Sequence, residues 1–269
     1  MQINKTKNLK LYFVGAGNIA SALISGLVES GFPTTDIYAY DKDIKKIKNL
    51  QDRYNINMFN DVTAAHKGYL ILCVKPNDYP HVLMDLKDKI SSEIFILSCI
   101  AGVSIKKIQE DFLNNICLRF MPNILVEEGS GFIAIVSESE ALVEGFKQTF
   151  SNLGLIQEVS EEKFNAITAL AGSGPAWVYS FIRSLIEAGK NNGLSESESK
   201  TIVMSLLNGV SNQIDEDTEL DKLVQQVASP GGTTEAGLRV LEEEGLEIVV
   251  EKAISKAAER SRELTEDSM

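Results

Sequence analysis

The chain has 269 residues and is 44% hydrophobic, which is typical of a globular protein with room for two domains. Its 26 Lys and Arg residues against 38 Asp and Glu residues give a net charge of -12, which disfavours nucleic acid and anionic membranes as partners. No apolar run reaches transmembrane length and no signal-peptide pattern is found, so we expect a cytoplasmic protein.

The first 161 residues alternate between short apolar runs and segments with helical periodicity. Strands are predicted at residues 10–14, 37–41, 69–74, 93–98 and 116–121, and helices at residues 19–30, 43–53, 77–87 and 104–111. Residues 132–136 and 155–159 are predicted as further strands at the edge. This alternation predicts βαβ units, and therefore an α/β domain with a parallel sheet over residues 1–161.

The first predicted strand leads into a glycine-rich turn, Gly15-Ala16-Gly17-Asn18-Ile19-Ala20. Gly15 permits a tight turn, Gly17 lets a pyrophosphate approach the backbone, and Ala20 lets the helix pack closely on the strand. The pyrophosphate is then bound by free amides at the start of the helix. This context predicts a Rossmann-type dinucleotide-binding domain.

Asp41 closes the second predicted strand, about 20 residues after the turn, where a carboxylate accepts hydrogen bonds from ribose hydroxyls. The alternative is that Asp41 only caps the next helix. A carboxylate here should repel the extra phosphate of NADP, while the neighbouring Lys42 counteracts it. The choice between NADH and NADPH is left open, with a lean toward NADH.

Three cysteines, Cys73, Cys99 and Cys117, lie in apolar runs, and neither their odd number nor their spacing suits disulfides or a metal site. We interpret them as buried free thiols, and we predict no metal. The two histidines, His66 and His81, are interpreted as surface residues. The sequence therefore predicts chemistry without a histidine base.

Residues 162–269 are predicted to form an all-helical domain. Its helices are expected at residues 164–171, 176–191, 196–213, 220–228, 234–243 and 246–264, with Ser195 as a cap. Residues 178–186 and 202–210 are apolar over more than one helix face, which favours packing against a second copy of the chain. The alternative is a well-buried central helix within one chain.

A second glycine-rich segment, Ser229-Pro230-Gly231-Gly232-Thr233-Thr234, precedes one of these helices. Consecutive amides at a helix start, with no side chains at the two glycines, suit a small carboxylate. The alternative is an ordinary helix-start loop in which Thr233 or Thr234 is the cap.

In order and spacing, the motifs of this chain resemble those of the pyrroline-5-carboxylate reductase family across nearly its whole length. They are the turn at residues 15–20, VKP at 74–76, AGV at 101–103, RxMPN at 119–123, GSGPA at 172–176 and SPGGTT at 229–234. The chain departs from the family pattern at Ile124, Leu125 and Trp177.

This resemblance implies reduction of 1-pyrroline-5-carboxylate to L-proline by hydride transfer from NADPH or NADH, in a homodimer or a ring of dimers. It implies that the loop binds the substrate carboxylate and that Thr234, as the catalytic residue, contacts the ring nitrogen. The predicted substrate-binding residues are Gly231, Gly232, Thr233, Thr234 and Gln226. The predicted cofactor-binding residues are Gly15, Ala16, Gly17, Asn18, Ile19, Ala20, Asp41, Asn60, Val74, Lys75, Pro76 and Ala101.

Two other functions stay open from the sequence. A hydroxyacid dehydrogenase would need a base on the helical domain, for which Lys190 and Lys200 are available, although both are interpreted as surface residues. A dinucleotide-sensing protein without turnover would need no substrate loop. Intact Gly231, Gly232 and Thr234 disfavour this second alternative.

Overall fold

The computed structural model describes residues 9–59, 61, 65–87 and 89–266. The chain divides into two compact units, one formed by the chain up to Pro175 together with the segment from Ser255 onward, and the other by Ala176–Ile254. The domain boundary predicted at residue 161 stays a prediction. In the structure, residues 162–175 and the end of the last helix, from Ser255 onward, group with the sheet. No helix within the described ranges is long and apolar enough to cross a membrane.

The first unit is built on an eight-stranded sheet. Its strands are β1 (Leu11–Val14), β2 (Ile37–Tyr40), β3 (Asn57–Met58), β4 (Gly68–Leu72), β5 (Ile94–Ser98), β6 (Cys117–Pro122), β7 (Gly131–Val136) and β8 (Gly154–Glu158). They lie in the order β3-β2-β1-β4-β5-β6-β7-β8, and all neighbours are parallel except β6 and β7. The order of the first six strands is that of doubly wound dinucleotide-binding sheets, so the predicted Rossmann-type fold is confirmed.

Within the described residues, five α-helices connect these strands. They are α1 (Asn18–Glu29), α2 (Ile44–Tyr54), α3 (Tyr79–Leu86), α4 (Ile105–Asp111) and α5 (Glu140–Phe150). The sequence prediction missed α5 and the two-residue β3. The signal for α5 was present, because Ser139 is an N-cap that accepts from the Leu142 amide, and Leu142, Phe146 and Phe150 recur at helical spacing and are buried.

The sheet is covered on both faces, because successive side chains of a strand point to opposite sides. In β1, Leu11 and Phe13 belong to one buried apolar cluster, while Tyr12 and Val14 belong to another. Fully burying one such side chain contributes roughly 1.5–3 kcal/mol. The two clusters therefore hold the strands in place. The residues at the carboxyl ends of the strands are positioned by this packed sheet.

Helices follow the sheet. They are α6 (Phe164–Ile167), α7 (Gly174–Asn191), α8 (Glu196–Ser211), α9 (Leu220–Val227), α10 (Thr233–Glu243) and α11 (Leu246–Glu266). The capping role of Ser195 is confirmed, since it forms a reciprocal capping box with Glu198. The helix predicted at residues 164–171 is instead one α-helical turn followed by a π-helical turn at Thr168–Gly172. There the amide of Ser173 donates to the carbonyl of Thr168, one residue further back than in an α-helix.

Candidate active site

The glycine-rich turn between β1 and α1 is closed at one end and open at the other. Gly15 has a φ of +102°, a conformation that favours glycine, and a Cβ atom there would lie 2.7 Å from the carbonyl oxygen of Cys73. Gly17 is the N-cap of α1, and a Cβ atom there would meet no heavy atom within 4 Å. The chain thus leaves free space beside Gly17, next to the start of the helix.

Unpaired amides lie at this opening. The amides of Asn18, Ile19 and Ala20 donate to no acceptor in the described part of the chain. The first amide of α1 with an acceptor is that of Ser21, which donates to the Gly17 carbonyl over 2.9 Å. Amides at a helix start bind phosphate groups, helped by the helix dipole. The turn therefore fits a pyrophosphate, as the sequence predicts.

Asp41 ties this turn to the end of β2. Its Oδ2 accepts from the amide of Ala16 over 2.8 Å, and its Oδ1 accepts from the amide of Asp43 over 2.8 Å. The side chain of Asp41 is only 10% exposed, and Lys46 Nζ lies 3.7 Å from its Oδ2. The N-cap of α2 is Asp43 and not Asp41. Asp41 thus supports the turn and retains lone pairs for ribose hydroxyls.

A cavity of about 500 Å³ adjoins the turn. It brings together five predicted cofactor residues, which are Gly15, Gly17, Asp41, Val74 and Lys75. Its other lining residues are Val14, Tyr40, Lys42, Lys46, Cys73, Asp78, His81, Val82 and Asp85. Sequence reasoning assigned none of these except Lys42 to the site. Four of them, at positions 78, 81, 82 and 85, follow the spacing of one helix face, which is the signal that the prediction overlooked.

A salt bridge joins two sides of this cavity. Lys42 Nζ lies 2.6 Å from Asp78 Oδ1. The hydrogen bond between them raises the pKa of Lys42 and lowers the pKa of Asp78 from their ordinary values. Lys42 is thus paired with Asp78, while Lys46 lies within ion-pair distance of the Asp41 carboxylate. A dinucleotide that needs the space can open such an exposed ion pair at little cost.

The remaining predicted cofactor residues that the structure describes do not line the cavity. Ala20 is buried and lets α1 pack on the sheet, and Ile19 packs against the same apolar cluster. Pro76 begins the short 3₁₀ segment that precedes α3, and Ala101 packs beside Met121 and Phe164. Asn60 lies outside the described residues. Their contacts with a cofactor stay predictions.

A larger cavity of about 700 Å³ lies next to β8. Its lining is mainly apolar and includes Phe132, Val159 and Ile167. None of the predicted site residues that the structure describes lines it.

The second glycine-rich segment forms the start of α10. Gly231 has a φ of +71°, and Gly232 is the N-cap without any side-chain hydrogen bond, so neither Thr233 nor Thr234 is the cap. The amide of Gly232 donates to the carbonyl of Ser229 over 2.9 Å. The amides of Thr233 and Thr234 donate to no acceptor among the residues that the structure describes. Free amides at the start of a helix are suited to an anion.

The carboxylate of the protein's own Glu235 contacts this loop. Glu235 Oε2 accepts from the amide of Gly231 over 2.7 Å. An acidic side chain in the first turn is favourable for α10 because of the helix dipole. One backbone amide of the loop is thus hydrogen-bonded to a carboxylate. Gln226, the other predicted substrate-binding residue, is exposed on α9. The hydroxyl of Thr234 has no hydrogen-bond partner in the described ranges.

The RxMPN motif has a structural role. Arg119 is 2% exposed, forms an ion pair with Glu161 and lies 4.3 Å from the centre of the Phe164 ring. Burial lowers the pKa of Arg119 from its ordinary value, and Glu161 opposes that shift. Asn123 Nδ2 donates to the carbonyl of Ala171 over 3.2 Å. These contacts tie β6 to the segment that contains the π-helical turn.

Two family models match the chain. The model described as pyrroline-5-carboxylate reductase dimerisation matches residues 161–264. The model described as NADP oxidoreductase, coenzyme F420-dependent, matches residues 10–102. The two matches cover the helical part of the chain and the dinucleotide turn with the first strands.

Similar proteins extend over the full chain. The pyrroline-5-carboxylate reductase of Methanosarcina acetivorans is 32% identical over 96% of this chain and 98% of its own length. Pyrroline-5-carboxylate reductase 2 of Bacillus subtilis is 30% identical over 96% of this chain and 95% of its own length. The crystal structure of Plasmodium falciparum pyrroline carboxylate reductase with NADP bound superposes with a TM-score of 0.89 at 28% identity, covering 97% of this chain and 100% of that one.

Proposed function

The chain belongs to the pyrroline-5-carboxylate reductase family, and on that basis we propose that it reduces 1-pyrroline-5-carboxylate to L-proline. The observation that carries this proposal is similarity to reductases of that name over 96% of the chain. The geometry agrees with it, because the chain has one helix start suited to a pyrophosphate and another suited to a small carboxylate.

NADPH or NADH is the hydride donor, and the residues around the first helix start bind it. The free amides of Asn18 and Ile19 receive the pyrophosphate next to the open side of Gly17. Asp41 accepts from ribose hydroxyls, and Lys46 beside it moderates its charge toward a further phosphate. The cofactor supplies the hydride when bound, and the protein supplies binding and orientation.

The segment before α10 binds the substrate carboxylate. The free amides of Thr233 and Thr234 are the donors, together with the Gly231 amide once Glu235 moves away. Support comes from the carboxylate that Gly231 already binds. We place the Thr234 hydroxyl at the ring nitrogen, where Oγ1 accepts from the N–H of the protonated imine. Gln226 is proposed as a further polar contact.

The reaction needs no strong base. A protonated cyclic imine is already electrophilic, so orientation and a polar pocket lower the barrier. The residues that would serve a hydroxyacid dehydrogenase are engaged elsewhere, because Lys190 is paired with Glu187 over 3.0 Å and Lys200 with Glu196 over 2.5 Å. The hydrogen bond to Glu187 raises the pKa of Lys190, so the unprotonated amine that a general base requires is scarce at neutral pH. These pairings disfavour the dehydrogenase alternative.

The chain carries a dimerisation domain, which makes it a homo-oligomer. Seven large apolar side chains of α7 and α8 are 45% to 58% exposed within the chain, namely Val178, Tyr179, Phe181, Ile202, Met204, Leu206 and Val210. Exposure of this extent is typical of surfaces that a second subunit covers. We propose that these helices interlock in a dimer, that dimers assemble into a ring, and that the enzyme works in the cytoplasm, in keeping with its three free cysteines.

A steady-state assay tests the proposed function. Oxidation of NADH and of NADPH is followed with 1-pyrroline-5-carboxylate, and without it as a control. We expect substrate-dependent oxidation with at least one cofactor. If neither is oxidised while both bind, the protein is a dinucleotide sensor and the enzymatic function is wrong.

A further inference from the structure

Two thiols meet beside the cofactor cavity. Cys73 and Cys99 directly follow β4 and β5, whose last residues, Leu72 and Ser98, are register partners in the sheet. The Cys99 thiol donates to the Cys73 sulfur, and the two Sγ atoms are 3.3 Å apart. Both side chains are set by the backbone of adjacent strands, so their contact is a fixed feature of the fold.

One of these thiols borders the cavity. Cys73 lines it together with Val14 and Val74, whereas Cys99 is not among the lining residues. The backbone carbonyl of Cys73 is also the group against which Gly15 packs, at a distance that leaves no room for a Cβ atom. A change at Cys73 therefore reaches the glycine-rich turn directly.

We propose that Cys73 and Cys99 are a reversible oxidation site, which a hydroperoxide converts to a disulfide when the cavity is empty, and that this disulfide weakens dinucleotide binding. The proposal rests on the proposed function only in taking the cavity as the cofactor site. Disulfides within the cytoplasm are commonly transient and redox-sensing. The pair would make the reductase sensitive to peroxide.

The chemistry is balanced with one peroxide. The Cys73 thiolate attacks one oxygen of hydrogen peroxide, the O–O bond breaks, and hydroxide leaves to give a sulfenic acid. The Cys99 sulfur then attacks the Cys73 sulfur, the S–S bond forms, and the S–O bond breaks with loss of the second hydroxide. The two thiol protons convert both hydroxides to water. Two thiols are oxidised by two electrons, and one peroxide is reduced to two waters.

Access decides when this reaction occurs. Cys73 is 8% exposed and Cys99 is 9% exposed, so only a small oxidant that enters through the cavity can reach them. Burial, and after it the interaction with the Cys99 thiol, raises the pKa of Cys73 well above its ordinary value, so the reactive thiolate is scarce and oxidation is slow. A dinucleotide in the cavity covers Cys73. Bound cofactor should therefore protect the pair.

Disulfide formation changes the position of the strand ends. The sulfurs move from 3.3 Å apart to a bond length of about 2.05 Å. A movement of Cys73 toward Cys99 is passed to the glycine-rich turn, because the Cys73 carbonyl lies directly against Gly15. The turn that receives the pyrophosphate is displaced as a result, which lowers the affinity for the dinucleotide.

Cys117 provides an internal control. It is 3% exposed and pairs in register with Ile96, three residues before Cys99 along β5, which corresponds to roughly 10 Å. Burial raises the pKa of Cys117 to about 12. It has no thiol partner among the described residues and does not line the cavity. It should stay reduced.

The test treats the whole protein with hydrogen peroxide, with and without saturating NADP⁺, which cannot donate hydride. Free thiols are then alkylated, and the peptides are identified by mass spectrometry. We expect a Cys73–Cys99 linked peptide without NADP⁺, none with it, and an alkylated Cys117 in both samples. The Kd for NADPH of the oxidised protein should be at least tenfold higher than that of the reduced protein, and dithiothreitol should restore it.

Two variants complete the test, each compared with itself before oxidation. Cys99→Ser should form no linked peptide and should keep Cys73 at most as a sulfenic acid, whereas Cys117→Ser should form the linked peptide and show the same reversible loss of NADPH binding as the wild type. Absence of the linked peptide in the wild type or in Cys117→Ser, or an unchanged Kd after the disulfide has formed, would each overturn the proposal. All of these readouts are independent of turnover, so they separate its failure from failure of the proposed reductase activity.

Discussion

Replacing Asp41 by serine should change the balance between the two cofactors. The variant loses the acceptor for the Ala16 amide, and a hydrogen bond to a charged group contributes roughly 1.5–3 kcal/mol. Since Asp41 is 10% exposed, solvent screening is small, and we expect NADH to bind about tenfold more weakly. NADPH binding is weakened by the same lost contact, but removal of a like charge near the additional phosphate strengthens it by roughly 1–2 kcal/mol. NADPH affinity should thus stay nearly constant, and the preference should shift about tenfold toward NADPH.

Binding titrations with NADH and NADPH on the wild type and the variant measure this shift. Asp43→Ser is a matched control, because it removes the same charge two residues away and serine preserves the N-cap of α2. The control should leave the ratio of the two dissociation constants unchanged. An unchanged ratio in Asp41→Ser, or an equal shift in Asp43→Ser, would show that Asp41 does not bind the ribose of the cofactor.

Three further results are expected. Thr234→Ala should lower kcat/KM for 1-pyrroline-5-carboxylate by about 10 to 100-fold, as for one oriented hydrogen bond, and leave the Kd for cofactor nearly unchanged; full activity with weaker cofactor binding would contradict the role of Thr234. Gly17→Val should fold, because a Cβ atom at this position meets no described atom within 4 Å beyond the adjacent residues, yet lose cofactor binding because the side chain fills the pyrophosphate space; retained binding would refute that placement. Light scattering should give at least a dimer, and an active monomer of 29.5 kDa would refute the interface of α7 and α8.

Local patterns in the sequence predicted local structure well. The strand, glycine turn and helix at the first site are contiguous, and so are the cap at Ser195 and the helix after it. α5 was missed although its apolar residues recur at helical spacing. The π-helical turn was missed because its supporting contact comes from Asn123, far away in sequence. Contacts of this kind cannot be read from periodicity.

The site shows the same division. Gly15 and Gly17 could be picked out from the sequence because glycine adopts positive φ values and leaves space that other residues would fill. The double role of Asp41 was not, because its partner Ala16 lies 25 residues earlier. The contact between Cys73 and Cys99 depends on the register of β4 with β5, which no local pattern specifies. The sequence thus supplies candidate residues for each site, and the structure shows how those residues contact one another.

The most direct test of the central claim follows the hydride itself. The protein is incubated with 1-pyrroline-5-carboxylate and a reduced nicotinamide cofactor that carries deuterium at the transferring position, and the product is analysed by mass spectrometry and NMR. We predict L-proline with one deuterium on the ring carbon that was doubly bonded to nitrogen. Oxidation of the cofactor without deuterium in proline, or no proline at all, would contradict the account.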